Sequence, residues 1–292
     1  MLEVLAGSAP PQALWDMIGE RDKPDFLAFL LGYARRLRGE ERDTVRALAA
    51  PYLPDLEAQL KSGSAEERGL AVQSLAGMGL PEYASTVARA LDDESPVVAM
   101  MAARGLFRPG LERYFGNVLR RLPRFTLWSR SYLASMLAGG GPATAPHLRD
   151  QLADPKEPPV VRAVAADALR ALNDLPSVEV AARILETEED RELVTGCLRL
   201  IHQLGHREYV DVVMPFVTDS DPVIRAAAVA AVGALGSKED VPILQCLLDD
   251  DAYWVSLQAA RGLMALGEAR LLEQLVEGHG PWALIARQVL TE

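Results

Sequence analysis

Apolar residues recur along this chain at helical spacing, in short runs broken by acidic, proline-bearing turns. Residues 209–217 (YVDVVMPFV) place apolar side chains three and four positions apart, which predicts a helix. The turn TDSDP follows, with Asp221 placed to cap the next helix and Pro222 at its first position. Residues 223–235 then carry Ile224, Ala227, Ala228, Ala231, Val232 and Leu235 on one face, and Gly236 closes the helix. The same unit, two antiparallel helices around a polar turn, fits residues 238–268. Alanines at 227, 228, 231, 259 and 260 let neighbouring helices approach closely.

The unit repeats. DSDPVIRAAAVAAVGALG at 219–236 overlies DPKEPPVVRAVAADALRAL at 154–172, DDESPVVAMMAARGL at 92–106 and DDDAYWVSLQAARGLMALG at 249–267. The column containing Arg225 runs Arg68, Ala99, Arg130, Arg162, Val194, Arg225 and Ser256, in steps of 31, 31, 32, 32, 31 and 31 residues. A fixed period of this length predicts an all-α solenoid, an α–α superhelix in which stacking supplies the core that one helix pair cannot. Seven repeats are expected over 51–268, at 51–80, 81–111, 112–142, 143–174, 175–206, 207–237 and 238–268. Residues 1–50 read as a cap of two or three helices, and 269–292 as a shortened capping repeat. The third repeat is the least regular: it lacks the Asp-x-x-Pro turn and ends in Gly139-Gly140-Gly141-Pro142.

Composition narrows the function classes. A net charge of −11 disfavours a general nucleic-acid binder, which needs clustered Lys and Arg. Cys197 and Cys246 each fall in an apolar helical pattern and are expected as buried thiols. The longest early apolar run, residues 26–34, is far short of the roughly 20 residues of a spanning helix, so a cytoplasmic protein is expected, membrane-associated only if an N-terminal anchor precedes this sequence.

The string Asp-Pro-Val-Ile-Arg-x-Ala-Ala at 221–228, its variants at 96–103 and 158–166, and the Ala-Leu-Gly ends resemble the HEAT and HEAT-like, phycobilisome-lyase-type repeats. The resemblance covers residues 51–292 and implies a right-handed, armadillo-like solenoid. It also implies that turn acids and second-helix arginines form a ladder between adjacent repeats. That pairs Asp219 with Arg225 and Asp154 with Arg162, with Asp93 and Asp250 as ladder positions lacking an Arg of their own. A narrower resemblance is to bacterial HEAT-repeat proteins that sit beside glycosyltransferases.

No catalytic set emerges. None of His147, His202, His206 and His279 precedes a Glu, so the paired irons of HEAT-like hydroxylases lack ligands, and His202 with His206 has no carboxylate cluster to complete a metal site. The glycines at 139–141 are not followed by Lys-Ser/Thr and form no phosphate loop. No cofactor, metal or small-molecule substrate is expected.

Two constellations remain as binding candidates. Residues 95–148 hold one acid, Glu112, against Arg104, Arg108, Arg113, Arg120, Arg121, Arg124 and Arg130, interleaved with aromatics that include Trp128. Arginines among aromatics suit an interface; the structural alternative is that they pair with acids of neighbouring repeats. The second is Tyr253 with Trp254, at a second-helix start where the pattern elsewhere has small residues. The expected function is a non-catalytic protein–protein scaffold. The alternatives are a regulatory subunit at an anionic membrane surface or on a membrane enzyme, and a HEAT-like enzyme or lyase subunit.

Overall fold

In a computed structural model of the protein, the described residues are 4, 8, 10, 12–19, 21–34, 36–37, 39–125, 127–278, 280 and 282–292. His279 lies outside them. The chain divides into two compact units, Met1–Leu127 and Trp128–Glu292, and the division falls between the two helices of the irregular third repeat.

The first unit contains α1 (Gln12–Trp15), α2 (Lys23–Ala34), α3 (Gly39–Ala49), α4 (Leu53–Ser62), α5 (Ala65–Met78), α6 (Ala84–Arg89), α7 (Pro96–Leu106) and α8 (Phe115–Leu119). Helix α4 pairs with α5 and α6 with α7, and the second helices α5 and α7 pack on each other. A capping box starts α5: Ser64 accepts from the Glu67 amide while the Glu67 carboxylate accepts from the Ser64 amide. Helix α2 covers α5.

The second unit contains α9 (Arg130–Ala138), α10 (Ala145–Ala153), α11 (Pro159–Ala171), α12 (Ser177–Leu185), α13 (Arg191–Leu204), α14 (Val210–Val213), α15 (Pro222–Leu235), α16 (Val241–Cys246), α17 (Tyr253–Ala265), α18 (Ala269–Glu277) and α19 (Ala283–Thr291). The second helices α9, α11, α13, α15, α17 and α19 pack in that order, each beside the next, and α10, α12, α16 and α18 lean on their partners. Leu193, Cys197, Leu200, Ile201, Ala228, Ala231, Val232, Leu244 and Leu263 fill the fully buried layers between them. No strand occurs among the described residues, and none of their helices is long and apolar enough to cross a membrane.

Local chemistry sets the boundaries. Asp221 caps α15 by accepting from the Val223 amide at 2.7 Å, with Pro222 at the first position. Asp190 caps α13 through the Glu192 and Leu193 amides, both at 3.0 Å. The helix expected over 209–217 is broken: α14 stops at Val213 and a 3-10 turn, Met214–Thr218, replaces its end. Pro215 has no amide hydrogen to continue the α-helical ladder and its ring crowds the preceding turn.

Consecutive repeats are tied by arginines near the starts of second helices. Arg225 donates from Nε and Nη2 to the two oxygens of Asp250 at 2.9 and 2.7 Å, and from Nη1 to the Asp219 carbonyl at 2.9 Å. Arg68 makes the same fork to Asp93, at 2.8 and 2.9 Å, and holds the Gly63 carbonyl. Arg162 reaches the Leu152 carbonyl at 2.9 Å and Glu188 Oε2 at 2.8 Å. Each guanidinium therefore grips its own turn by a backbone oxygen and the following turn by a carboxylate. This corrects the pairing the resemblance implies. Arg225 takes the Asp219 carbonyl rather than its carboxylate, and the Asp219 and Asp154 side chains cap their own turns through the amides of Asp221 and Lys156. A fork that leaves the second helix forward in the stack meets the next repeat's acid first.

Those acids are held charged. The Arg68 guanidinium, with the Ser95 amide, keeps the Asp93 carboxyl below the usual carboxylate range against the opposing effect of burial. At Asp250 burial works against the charge, but Arg225 and the Ala252 amide outweigh it and the net direction is again downward. A carboxyl lowered by folding stabilises the native state at pH above its ordinary range, and that contribution disappears as pH falls through and below it. The melting temperature of the wild type should therefore exceed that of Asp250→Asn at neutral pH and converge on it as the solution is acidified. A gap independent of pH would show that the charge on Asp250 does not contribute.

Candidate functional site

The second helices of the second unit build an open groove of about 940 Å³. Its floor is α15, where Ala226, Ala227, Ala230, Gly233 and Ala234 present almost no side chain. Its rims are Arg199 and His202 from α13 on one side, and Tyr253, Trp254, Gln258 and Arg261 from α17 on the other. Small residues on the middle helix and large ones on its neighbours make the depression. At one point α15 and α17 touch by backbone alone: a methyl group on Gly233 would lie 2.5 Å from the Gly262 Cα.

The α17 rim is partly ordered from within. Tyr253 and Trp254 meet edge to face, with ring centroids 5.5 Å apart, yet remain 48% and 67% exposed. The Tyr253 hydroxyl donates to Gln288 Oε1 at 2.7 Å. Arg261 forks onto Glu292 at 2.8 and 2.6 Å, which raises the Arg261 pKa and lowers that of Glu292. On the opposite rim Arg199 is exposed, and among the described residues no carboxylate pairs with it. Partial desolvation of its guanidinium on the rim, reinforced by the Arg130 charge, lowers its pKa from the ordinary arginine value, although a guanidinium stays protonated throughout the neutral range.

The arginine-rich constellation divides by what each guanidinium touches. Arg121 forks onto Asp92 at 2.7 and 2.5 Å, and Arg124 donates to the Leu91 and Asp93 carbonyls at 2.6 and 2.8 Å. Both tie the 3-10 and helical turns of the third repeat to the end of the second. Arg108 is half-buried and donates to the Gly105 carbonyl. Arg104, Arg113 and Arg120 are exposed; Arg113 lies over the Tyr114 ring at 4.9 Å and Arg120 donates to Asn117. All six belong to the first unit, whereas Trp128, which is half-buried, and Arg130 belong to the second.

Arg130 occupies the repeat column of Arg162 and Arg225 but does something else. Because the regular turn is missing, α9 begins at Arg130 itself, whereas Arg162 and Arg225 are the fourth residues of α11 and α15. Three residues of difference turn the side chain away from the inter-repeat turn. It crosses α11 to donate to Asp167 Oδ2 at 2.5 Å and reaches the Glu192 carbonyl on α13 at 3.1 Å.

Cys197 is fully buried, which pushes its thiol up to about 12. Cys246 is exposed on the short α16, contrary to expectation; Leu244, packed against Gly262 of α17, is the buried position of this helix, and 246 points out. His202 lines the groove rim, His206 is exposed at the start of the next turn, and no three His, Cys, Asp or Glu side chains among the described residues cluster as metal ligands do.

The fold and groove define a helical-repeat protein. Residues 178–265, from α12 to the end of α17, match the family model for HEAT repeats. No curated protein matches the chain. Among solved structures, it is similar to an engineered protein, at 19% identity over 74% of this chain and 97% of that one, with a TM-score of 0.40. It is also similar to the complex of CpcE and CpcF of phycocyanin lyase from Nostoc sp. PCC7120, at 18% identity over 82% of this chain and 86% of that one, TM-score 0.38. A designed armadillo repeat protein is similar at 18% identity over 73% of this chain and 99% of that one, TM-score 0.37.

The two groups of arginines should respond differently to charge reversal. Arg121→Glu or Arg124→Glu should lower the melting temperature measurably, since the first breaks the fork onto Asp92 and the second removes the donor to the Leu91 and Asp93 carbonyls. Arg104→Glu and Arg120→Glu should change stability by no more than about 0.5 kcal/mol, as surface substitutions do. Circular dichroism melts of the four variants check this; equal effects in all four would contradict the division.

Proposed function

We propose that the protein is a non-catalytic interaction scaffold and that its second unit docks a partner protein's segment in the α13–α15–α17 groove. Within the second unit, the regular repeats and the shortened repeat at 269–292 serve as the support. The observation that carries the reading is the pair Tyr253 and Trp254, large aromatics left half to two-thirds exposed beside a floor of alanine and glycine. Burying such rings against a partner gains apolar contact at low entropic cost, because the rings are already held and have only two side-chain torsions each. The groove runs from α13 across α15 to α17, and its walls are helices, so the receptor orders little on binding.

Trp254 should be the anchor. Peptides selected from a random library against the intact protein should lose about thirtyfold in affinity on Trp254→Ala, the loss typical of a buried tryptophan hot spot, with the melting temperature unchanged. Selected peptides that bind Trp254→Ala and the wild type equally would contradict the reading.

A further inference from the structure

Beside the α13 rim of the groove, which Arg199 lines, two further arginines meet one carboxylate. Arg130 from α9 donates to Asp167 of α11 from Nε. Arg170, also of α11, holds its Nε 3.8 Å from the other Asp167 oxygen and gives Nη1 to Gln203 at 3.0 Å. Arg199 on α13 feels the charges of both Arg130 and Arg170, with Asp167 in partial opposition. The other acid at hand is the exposed Glu192, 3.8 Å from Arg130 Nη1. Asp167 cannot serve all three guanidiniums. Two of their N–H groups, Arg130 Nη2 and Arg170 Nε, are buried without an acceptor among the described residues. Gly196 is part of the arrangement: a methyl there would sit 3.5 Å from Arg130 Nη2, so the bare backbone leaves the guanidinium room.

Buried charged donors without acceptors are costly, and a site that keeps them is suited to an acceptor brought from outside. The groove itself shows which acceptor its arginines take. Arg261, in the same column of the repeat as Arg199 and 62 residues further on, is forked onto the carboxylate of Glu292. A net charge of −11 repels extended polyanions at long range, which favours one or two carboxylates on a peptide over a nucleic acid or an anionic membrane.

We propose that Arg130, Arg170 and Arg199 form a carboxylate subsite, so that the partner segment in the groove bears an acidic residue opposite the apolar residue seated on Trp254. This rests on the groove being the docking site. Neighbouring helices pack about 8–10 Å apart, which puts Arg199 and the α17 rim roughly 20 Å from each other. At about 3.3 Å per residue, an extended chain covers that span in roughly six residues.

The test uses a fluorescein-labelled octapeptide with two leucines at one end and two glutamates at the other, and its glutamine counterpart, each in both sequence directions. Binding is followed by fluorescence anisotropy. In the wild type the better glutamate peptide should bind about tenfold more tightly than its glutamine counterpart, the low end for a charge-assisted hydrogen bond. Arg199→Gln, an exposed position, should bring the ratio to within about twofold, and Arg170→Gln should reduce it. Trp254→Ala should weaken both peptides and keep the ratio. The subsite is overturned if the glutamate peptides do not bind, if wild type does not prefer them, or if the preference survives both arginine variants. Binding that falls with Trp254→Ala but shows no preference removes the subsite and leaves the groove. A preference lost in Arg199→Gln, with the affinity of both peptides unchanged by Trp254→Ala, removes the groove and leaves the subsite.

Discussion

The stack depends on a contact that crosses from one helix pair to the next: an arginine near the start of a second helix, forked onto an acid in the following turn. A single pair of short helices cannot bury its apolar face, and the first helices here are short and interrupted by 3-10 turns. Apolar burial presses neighbouring pairs together but is indifferent to small slips. The fork from Arg225 to Asp250 has one geometry, and its third nitrogen fixes the Asp219 carbonyl at the same time. The acid in turn caps its own helix entry through an amide two residues on, as Asp93, Glu188 and Asp250 all do. One side chain thereby aligns two turns and the helices they start, and the inner face of the second helices inherits that alignment.

The groove is a consequence of that alignment plus side-chain size. With α13, α15 and α17 held side by side, a middle helix of alanine and glycine becomes a floor and its larger neighbours become walls. The Gly233–Gly262 approach brings α17 close, so the Tyr253 and Trp254 rings stand directly over the depression. Arginines then separate into two kinds. Those whose forks are satisfied by turn acids and carbonyls, Arg68, Arg162, Arg225, Arg121 and Arg124, hold the stack. On the inner face Arg130 and Arg170 share Asp167, and Arg199 stands beside them with no carboxylate of its own among the described residues.

Much of the scaffold was legible from spacing. The period placed the helix pairs, and the Asp-Pro signals placed the start of α15, because caps and proline act within a few residues of chain. Partnership between repeats was not. Whether Arg162 meets Asp154 or Glu188 depends on which way a side chain leaves its helix, and the local string is the same in either case. The fate of the arginine-rich third copy was likewise hidden: a three-residue shift in where α9 begins sends Arg130 across the inner face, while Arg121 and Arg124 meet Asp92 and the carbonyls before it. Tyr253 and Trp254 stood out because they break the pattern. Arg199, His202, Gln258 and Arg261 did not, although reading one column across copies, Ser135, Asp167, Arg199, Ala230 and Arg261, shows where charge replaces small residues on the inner face. Exposure of Cys246 turned on the rotation of a six-residue helix, which so short an apolar run does not specify.

Nuclear magnetic resonance of the arginine Nε–H and tryptophan indole signals, during titration with the leucine–glutamate octapeptide, separates the two kinds of arginine in one measurement. The Arg199 Nε–H and Trp254 indole signals should shift together as peptide is added, while those of Arg68, Arg162 and Arg225 stay in place and remain slow to exchange with water. Shifts at the ladder arginines with Arg199 and Trp254 unmoved would contradict the account.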